Sequence, residues 1–219
     1  MLTVKYRKTA QAVYISHIDV LRSIIRGVRR AGLDIAYSNG FNPHAELYLS
    51  PPLPLFADSL CEYFTAASAE SAEAFLEKYS HAAAPGLTPE RIFRTVKNPN
   101  LAGKIFSTDY LFETDAPVSL TAVSEFLKKE NIPFTARSGK EKNMRSYINS
   151  LSADGTKILL NSDALNLRPD VAAAEFETSF NVKVLSQTRT AQYVKYNDTT
   201  LDADKYLEIL QSEEGKPVL

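Results

Sequence analysis

The side chains best suited to binding chemistry lie in one stretch, residues 14–49, which contains two of the three histidines of the chain. Within it, four arginines precede a loop rich in aromatic and amide side chains. Guanidinium groups bind phosphate or carboxylate in a bidentate manner and stack on planar rings. The stretch therefore predicts a site for an anionic or planar partner. Its candidate substrate-binding residues are Ser16, His17, Asp19, Arg22, Arg26, Arg29, Arg30, Tyr37, Ser38, Asn39, Gly40, Phe41, Asn42 and His44.

The arginines belong to a predicted helix. Ser16 is its N-cap, Asp19 completes a capping box three residues later, and Gly32 ends the helix. Spacings of three and four residues place the arginines opposite an apolar stripe. The stripe consists of Leu21, Ile24, Ile25 and Val28. An alternative interpretation is a solvated helix face whose arginines form partial salt bridges to Asp19 and Asp34.

The loop that follows the helix combines backbone freedom with polar and aromatic groups. Gly40 permits a backbone conformation that other residues resist, and Pro43 stiffens the exit. The amides of the loop donate and accept hydrogen bonds, and its two rings offer stacking surfaces. The alternative is a tight connection whose amides bond their own backbone, with Phe41 packed in the core.

His17 and His44 are the candidates for acid–base catalysis, and no catalytic residue is firmly predicted. The structural alternative is a hydrogen-bonded histidine. A metal site would need a carboxylate such as Asp19 or Glu46 beside both histidines, and no HExxH spacing occurs, so we predict no metal site. Walker, GxGxxG and GxSxG motifs are absent from the sequence as well.

Composition narrows the possible classes of protein. The 219 residues are 44% hydrophobic and 23% charged, as in globular proteins. A single cysteine, Cys61, excludes an internal disulfide and a self-contained iron–sulfur cluster, so we expect no cofactor in this chain. Neither a membrane-length apolar stretch nor a signal peptide is recognisable, which predicts a cytoplasmic protein without a membrane partner.

The net charge of −1 conceals an uneven distribution. Residues 1–44 contain seven Lys or Arg and two Asp, a net charge of +5, whereas residues 198–219 carry −4. The first segment predicts a surface that faces an anion, and the second predicts a solvated acidic tail.

Apolar periodicity predicts an α+β fold in which the order βαββαβ occurs twice. The first set comprises strands at 2–7, 46–49, 60–66 and 91–97 and helices at 16–32 and 72–79. After a linker at 98–103, the second set comprises strands at 105–113, 144–151, 157–161 and 182–189 and helices at 120–130 and from Pro169. Asp154-Gly155 predicts a hairpin turn. Residues 131–143 read as either a strand or a basic loop.

We therefore expect tandem ferredoxin-like units, each with an antiparallel sheet backed by two helices. The N-terminal unit covers residues 1–98, the C-terminal unit covers 104–196, and 197–219 form the acidic tail. A short helix at 203–210 is predicted within that tail. The basic residues of the second unit, Arg189 among them, either extend a basic groove between the units or decorate surface loops, and we prefer decoration.

Four motifs near the N-terminus resemble those of the uncharacterised radical SAM-linked domain family. They are the SHID start of the helix at 16–19, RRAG at 29–32, YSNGFNPH at 37–44 and PPLPL at 51–55. One departure is Ala45, where many members of the family have proline. Glu46 is a second departure, at a position where a basic residue is common.

The resemblance implies a bacterial domain fused to, or encoded beside, radical SAM proteins. Its partner would be a radical SAM iron–sulfur protein, and its substrate tRNA or rRNA. The leading hypothesis is a non-catalytic module that holds RNA for modification by that partner. The alternatives are an RNA- or nucleotide-processing enzyme that uses His17 or His44, and a protein-interaction adaptor that docks through PPLPL.

Overall fold

The computed structural model describes residues 1–136 and 138–213. It has a mixed α/β fold with a mostly antiparallel sheet and, in the described residues, six α-helices. None of these helices is long and apolar enough to cross a membrane.

The first half of the chain follows the predicted order of elements. These elements are β1 (Leu2–Lys8), α1 (His17–Arg30), β2 (Leu47–Leu49), β3 (Asp58–Ala66), α2 (Ala72–Ala82) and β4 (Leu87–Arg94). A short helix, α3 (Leu101–Lys104), leads into the second half. A 3₁₀ turn at Ala10–Tyr14 precedes α1.

The second half repeats the order with one insertion and an extension. Its elements are β5 (Ile105–Thr114), α4 (Leu120–Lys128), β6 (Pro133–Thr135), β7 (Glu141–Asn143), β8 (Ile148–Asp154), β9 (Lys157–Asp163), α5 (Pro169–Phe180), β10 (Val184–Tyr196), β11 (Thr199–Asp202) and α6 (Ala203–Glu213). The insertion is the hairpin β6–β7. It lies in residues 131–143, for which the sequence predicts either a strand or a basic loop.

Nine strands form one sheet in the order β4-β1-β3-β10-β5-β9-β8, with β2 paired to β3 and β11 paired to β10. All of these pairs are antiparallel except β3–β10, which is parallel and joins the two halves of the chain. That junction is short: Thr188 pairs with Asp58, and Arg189 pairs with Ser59. The strands of the two predicted antiparallel sheets therefore form one continuous sheet. The tandem ferredoxin-like arrangement and its boundaries stay predictions.

Local sequence signals explain how α1 begins. The Ser16 hydroxyl accepts from the Asp19 backbone N–H at 3.2 Å and donates to its carboxylate at 2.7 Å. This confirms the predicted capping interaction. The buried stripe differs from the prediction, because Val20 and Gly27 are buried while Leu21 and Ile25 are only half-buried.

The cause of this shift is the second helix. Tyr79 of α2 packs so closely on Gly27 that a Cβ there would lie 2.9 Å from the ring. Helix α1 therefore packs against α2 as well as the sheet, and its buried face turns toward Gly27.

Two strands are displaced from their predicted positions. β4 begins at Leu87 rather than 91, because Lys8 at the end of β1 pairs with Leu87. β8 begins at Ile148 rather than 144, because a 3₁₀ turn occupies Met144–Tyr147 and buries Met144. The hairpin predicted at Asp154-Gly155 is confirmed, since Asp154 pairs with Lys157 across it.

The prediction of a solvated acidic tail is wrong for residues 199–213. β10 continues to Tyr196, β11 pairs back on it, and α6 packs against the sheet face opposite α1. Ala203, Tyr206 and Leu207 are buried there. Charge alone predicted a solvated segment, but these apolar side chains, spaced three and four residues apart, form a core-facing stripe.

Candidate functional site

Arg22, Arg26 and Arg29 form the exposed face of α1, called here the arginine face. The guanidinium of Arg22 donates to the Asp19 carboxylate at 3.1 Å, a surface pair that leaves both side chains solvated. Arg26 makes no hydrogen bond or ion pair with any residue in the described part of the chain. At least one cation of this face is therefore free for an external anion.

Arg30 is also exposed, but it does not belong to the arginine face. It lies about 80° around the helix from Arg22, and its guanidinium donates to the backbone oxygen of Ala82 at 2.7 Å. Ala82 is the last residue of α2, where backbone carbonyls lack helical partners. Arg30 thus caps α2, a structural contact that the spacing of arginines does not reveal.

Residues 37–44 form a loop whose two ends are hydrogen-bonded to each other, called here the aromatic loop. Its base is fastened by a bridge between Tyr37 and Ala45 and by two contacts of Ser38 with His44. The Ser38 N–H donates to the His44 carbonyl at 2.8 Å, and the His44 N–H donates to the Ser38 hydroxyl at 3.0 Å. Gly40 at the tip has φ +128°, in the region that favours glycine.

The tip of the aromatic loop is exposed. Asn39, Phe41 and Asn42 all face solvent, and Phe41 is wholly exposed. The interpretation that Phe41 packs in the core is therefore wrong. The side chain of Phe41 is displayed outward on a loop whose base is hydrogen-bonded.

The arginine face and the aromatic loop meet at the C-terminal end of α1. Arg29 Nε donates to the Tyr37 hydroxyl at 3.2 Å, and its guanidinium carbon lies 5.8 Å from the centre of the Tyr37 ring. The start of the helix is a separate region, since Ser16 and Arg29 are thirteen residues, or about 20 Å, apart along the axis. Ser16 and Asp19 satisfy each other there rather than contacting the aromatic loop.

No hydrogen bond or ion pair links the two histidines in the described ranges. His44 is exposed in the aromatic loop. His17 is half-buried at the start of α1, where burial lowers the pKa of its imidazole below the usual value. The nearby cations Lys8 and Arg189 lower that pKa further, and Glu62 opposes them.

His17 thus borders a buried polar cluster that the sequence analysis missed. Arg189 and Glu62 are 1% and 3% exposed, and Arg189 Nη1 donates to the Glu62 carboxylate at 2.9 Å. Lys8 is 2% exposed and interacts electrostatically with both Glu62 and Asp58. The interpretation of Arg189 as surface decoration is wrong, because its position in β10 points it into the junction between the two halves.

Arg189 also holds the proline-rich segment 51–55. Its guanidinium donates to the backbone oxygens of Pro51 and Pro52 at 3.0 and 3.1 Å. Leu53 then packs in the core of the second half. The segment after the aromatic loop and β2 is therefore anchored by a side chain more than 130 residues away.

Cys61, which is the single cysteine, lies in the core against α6. Burial raises the pKa of its thiol to about 12, which opposes the thiolate form needed for metal binding or nucleophilic attack. In the described ranges no cluster of three or more His, Cys, Asp or Glu side chains could hold a metal ion.

Comparison with known proteins shows the family to which the chain belongs. Residues 1–195 match the family described as an uncharacterised protein conserved in bacteria (DUF2344), and the chain belongs to it. Comparison with curated proteins returned no match. The expectation of an uncharacterised bacterial domain is thereby confirmed.

Proposed function

We propose that the protein is a recognition module that holds tRNA or rRNA for a radical SAM partner. The observation that carries the proposal is the contact between Arg29 and Tyr37, which joins a solvated arginine face to a fastened aromatic loop. Phosphate-binding cations and a stacking ring thereby stand on one surface, the combination used by proteins that bind RNA.

The charge distribution supports a small, local RNA site. Of the seven cations in residues 1–44, Lys8 is buried, and Lys5 and Arg7 pair with Asp204 and Glu90. The local positive charge is therefore mainly that of the arginine face. Phosphate contacts supply most of the salt-dependent affinity for nucleic acid, so the binding energy would come from this patch. A protein with so small a basic surface is expected to bind specific RNA weakly and other polyanions hardly at all.

Recognition is better supported than catalysis by the histidines. His44 and His17 lie at different ends of α1, so they do not form an acid–base pair. His17 borders Lys8 and Arg189 instead, surroundings that favour a neutral, structural imidazole. The enzyme alternative would need one histidine to act alone.

The chemistry is assigned to the partner because of the cysteine content. A radical SAM cluster needs several thiolates, and this chain offers only Cys61, which is buried. The association itself rests on the motifs at 16–19, 29–32, 37–44 and 51–55. A free cysteine also suits the reducing cytoplasm, where we place the protein.

We also propose that both halves are ferredoxin-like units. The first has the strand order β4-β1-β3-β2, and the second has β10-β5-β9-β8. If the four strands of each βαββαβ pattern are numbered along the chain, both halves have the spatial order 4-1-3-2. Every neighbouring pair within each half is antiparallel. The units would meet at β3 and β10, around residues 58–59 and 188–189.

The test is a salt titration of RNA binding by fluorescence anisotropy. Replacing Arg26 and Arg29 with Ala should weaken binding and flatten its salt dependence. Each lost phosphate contact should reduce the log–log slope by roughly 0.9 for duplex or 0.7 for single-stranded RNA. Arg168→Ala, on a surface of the second half, is the control and should change neither quantity. The absence of RNA affinity at low salt for the unmodified protein would refute the proposal.

A second candidate function, a protein-interaction adaptor, is favoured by a groove beside the proline-rich segment. A cavity of about 280 Å³ lies between Phe56, α5 and the start of β10, and it is lined by Leu185 and Gln187. Phe56 and Leu185 are both exposed, and Phe56 has φ +64°, unusual for a bulky residue. This arrangement displays apolar side chains that a protein partner could cover.

The adaptor function predicts that the radical SAM partner contacts this groove. A photo-crosslinking amino acid at position 185 should capture that protein in the native bacterium, identified by mass spectrometry, and one at position 96 should not. Equal capture from both positions, or from neither, would remove the observation that favours an adaptor.

A further inference from the structure

The side chain of Phe41 is the most exposed large apolar group among the described residues. Within residues 1–136 and 138–213, no aromatic or cation contact involves it. The base of its loop, by contrast, is held by the bridge between Tyr37 and Ala45 and by the contacts of Ser38 with His44. Phe41 therefore contributes nothing evident to the core. Because the base of the loop is already ordered, a ligand that covers the ring loses little entropy in ordering it.

We propose that Phe41 stacks on an unpaired base, so that the ligand of this site is single-stranded rather than duplex RNA. This inference rests on the proposed function and adds the class of RNA. Stacking on an aromatic side chain needs a base whose face is free, and in a helix both faces are covered by neighbouring pairs. Phenylalanine also has no polar atom with which to read base edges in a groove.

The distances are compatible with one continuous ligand. Phe41 follows Tyr37 by four residues, so their Cα atoms are at most about 14 Å apart. Tyr37 itself contacts Arg29, and Arg26 lies one turn earlier on the same face of α1. A strand whose base lies on Phe41 can therefore place neighbouring phosphates on the arginine face.

The surrounding side chains favour a nucleic-acid base over an apolar protein surface. Asn39 and Asn42 flank Phe41 and are exposed, so their amides can donate to and accept from the edge of a stacked base. Arg29, which contacts the loop through Tyr37, is a cation that attracts phosphate. A protein hot spot would instead be expected to have apolar neighbours around the ring.

The experiment uses the absence of tryptophan from the chain. Phe41→Trp introduces a single tryptophan at the tip of the loop without disturbing any packed residue, and its emission can be excited selectively over that of the tyrosines. Oligouridylate, which is unstacked and single-stranded, should quench its emission as it binds. Converting the same strand to a duplex with oligoadenylate should largely remove the quenching.

Affinity provides the second measurement. Phe41→Ala should weaken oligouridylate binding by roughly 5- to 150-fold, the range expected when one stacked base is lost. Phe41→Trp should retain or improve the affinity. The matched control is Val96→Trp, at an exposed position far along the chain, whose emission should not respond to RNA.

The possible outcomes separate this inference from the proposed function. Binding that depends on Arg26 and Arg29 but leaves the emission of Phe41→Trp unchanged would overturn the stacking inference alone. Equal affinity of Phe41→Ala and the unmodified protein, or preference for the duplex, would do the same. A lack of RNA binding by the unmodified protein at low salt would overturn both.

Discussion

The buried ion pair of Arg189 and Glu62 should be among the most sensitive points of the fold. Its side chains are 1% and 4% exposed, and Arg189 donates to Glu62 at 2.9 Å. The guanidinium also donates to the Tyr110 hydroxyl at 3.0 and 2.8 Å and to the carbonyls of Pro51 and Pro52. One side chain thereby links β10, β5, β3 and the proline-rich segment.

Replacing Arg189 with Met removes these contacts and leaves the buried carboxylate of Glu62 without its ion-pair partner. Lys8 acts on that carboxylate only electrostatically. Loss of one partner of a buried pair costs about 3–5 kcal/mol, a large part of the 5–15 kcal/mol typical of a whole domain. Urea unfolding followed by circular dichroism should show this loss. The matched control is Arg168→Met, which breaks an exposed pair with Asp170 and should cost no more than about 1 kcal/mol.

A double variant identifies the cause of the loss. If the uncompensated charge dominates, replacing Glu62 with Leu in the Arg189→Met background should restore much of the stability, because both charges are then absent. The carbonyls of Pro51 and Pro52 would still lack a donor, so recovery should be incomplete. A cost below about 1 kcal/mol for Arg189→Met would refute the reasoning, and a double variant no more stable than Arg189→Met would refute the electrostatic cause.

Three further perturbations have defined outcomes. Gly86→Ala should lower the free energy of unfolding in urea by more than about 1 kcal/mol, because φ is +80° and a Cβ would lie 2.4 Å from the Thr9 carbonyl oxygen; an unchanged value would contradict that geometry. Cys61 should react with iodoacetamide only after unfolding, since burial raises its thiol pKa to about 12, and rapid native labelling would show an open core. His17 has a pKa below 6.5 in the folded protein, so the unfolded chain takes up its proton first and stability should fall as pH drops below about 6.5. His17→Asn should flatten that fall in urea titrations, and an equally steep fall in this variant would contradict the role of His17.

Features set by neighbouring residues could be predicted from the sequence. The cap of α1 depends on Ser16 and Asp19, three residues apart, and the β8–β9 hairpin depends on Asp154-Gly155. The position of α6 within the tail was also readable from the spacing of its apolar residues. Each of these signals lies within one element, where propensity and periodicity act.

Features set by distant partners could not be predicted. Glu62 precedes Arg189 by 127 residues, so nothing local distinguishes this buried arginine from a surface one. α6 is likewise fastened through Asp204, which accepts from Lys5 and from the Tyr63 hydroxyl, both at 2.7 Å. The negative charge of the tail therefore predicted a solvated segment, whereas in the structure Lys5 and Tyr63 bind its Asp204.

The candidate site was predicted in content but not in arrangement. The sequence indicated both the arginine face and the aromatic loop, but not that they meet at the C-terminal end of α1. The position of the contact between Arg29 and Tyr37 depends on the path of residues 33–36. There the Ala36 N–H donates to the Ala67 carbonyl, and Tyr37 follows directly. That path is a tertiary property of β3 and the following turn.

The most direct test of the recognition account is to map RNA contacts by nuclear magnetic resonance. Adding oligouridylate to the isotope-labelled full chain should shift amide signals at 22–29 and 37–44, and it should leave α6 and the β8 edge of the sheet unchanged. The same titration of the variant with Arg26 and Arg29 replaced by Ala should shift these signals far less. Shifts concentrated outside those two segments, or shifts that persist undiminished in the variant, would contradict the assignment of RNA recognition to this surface.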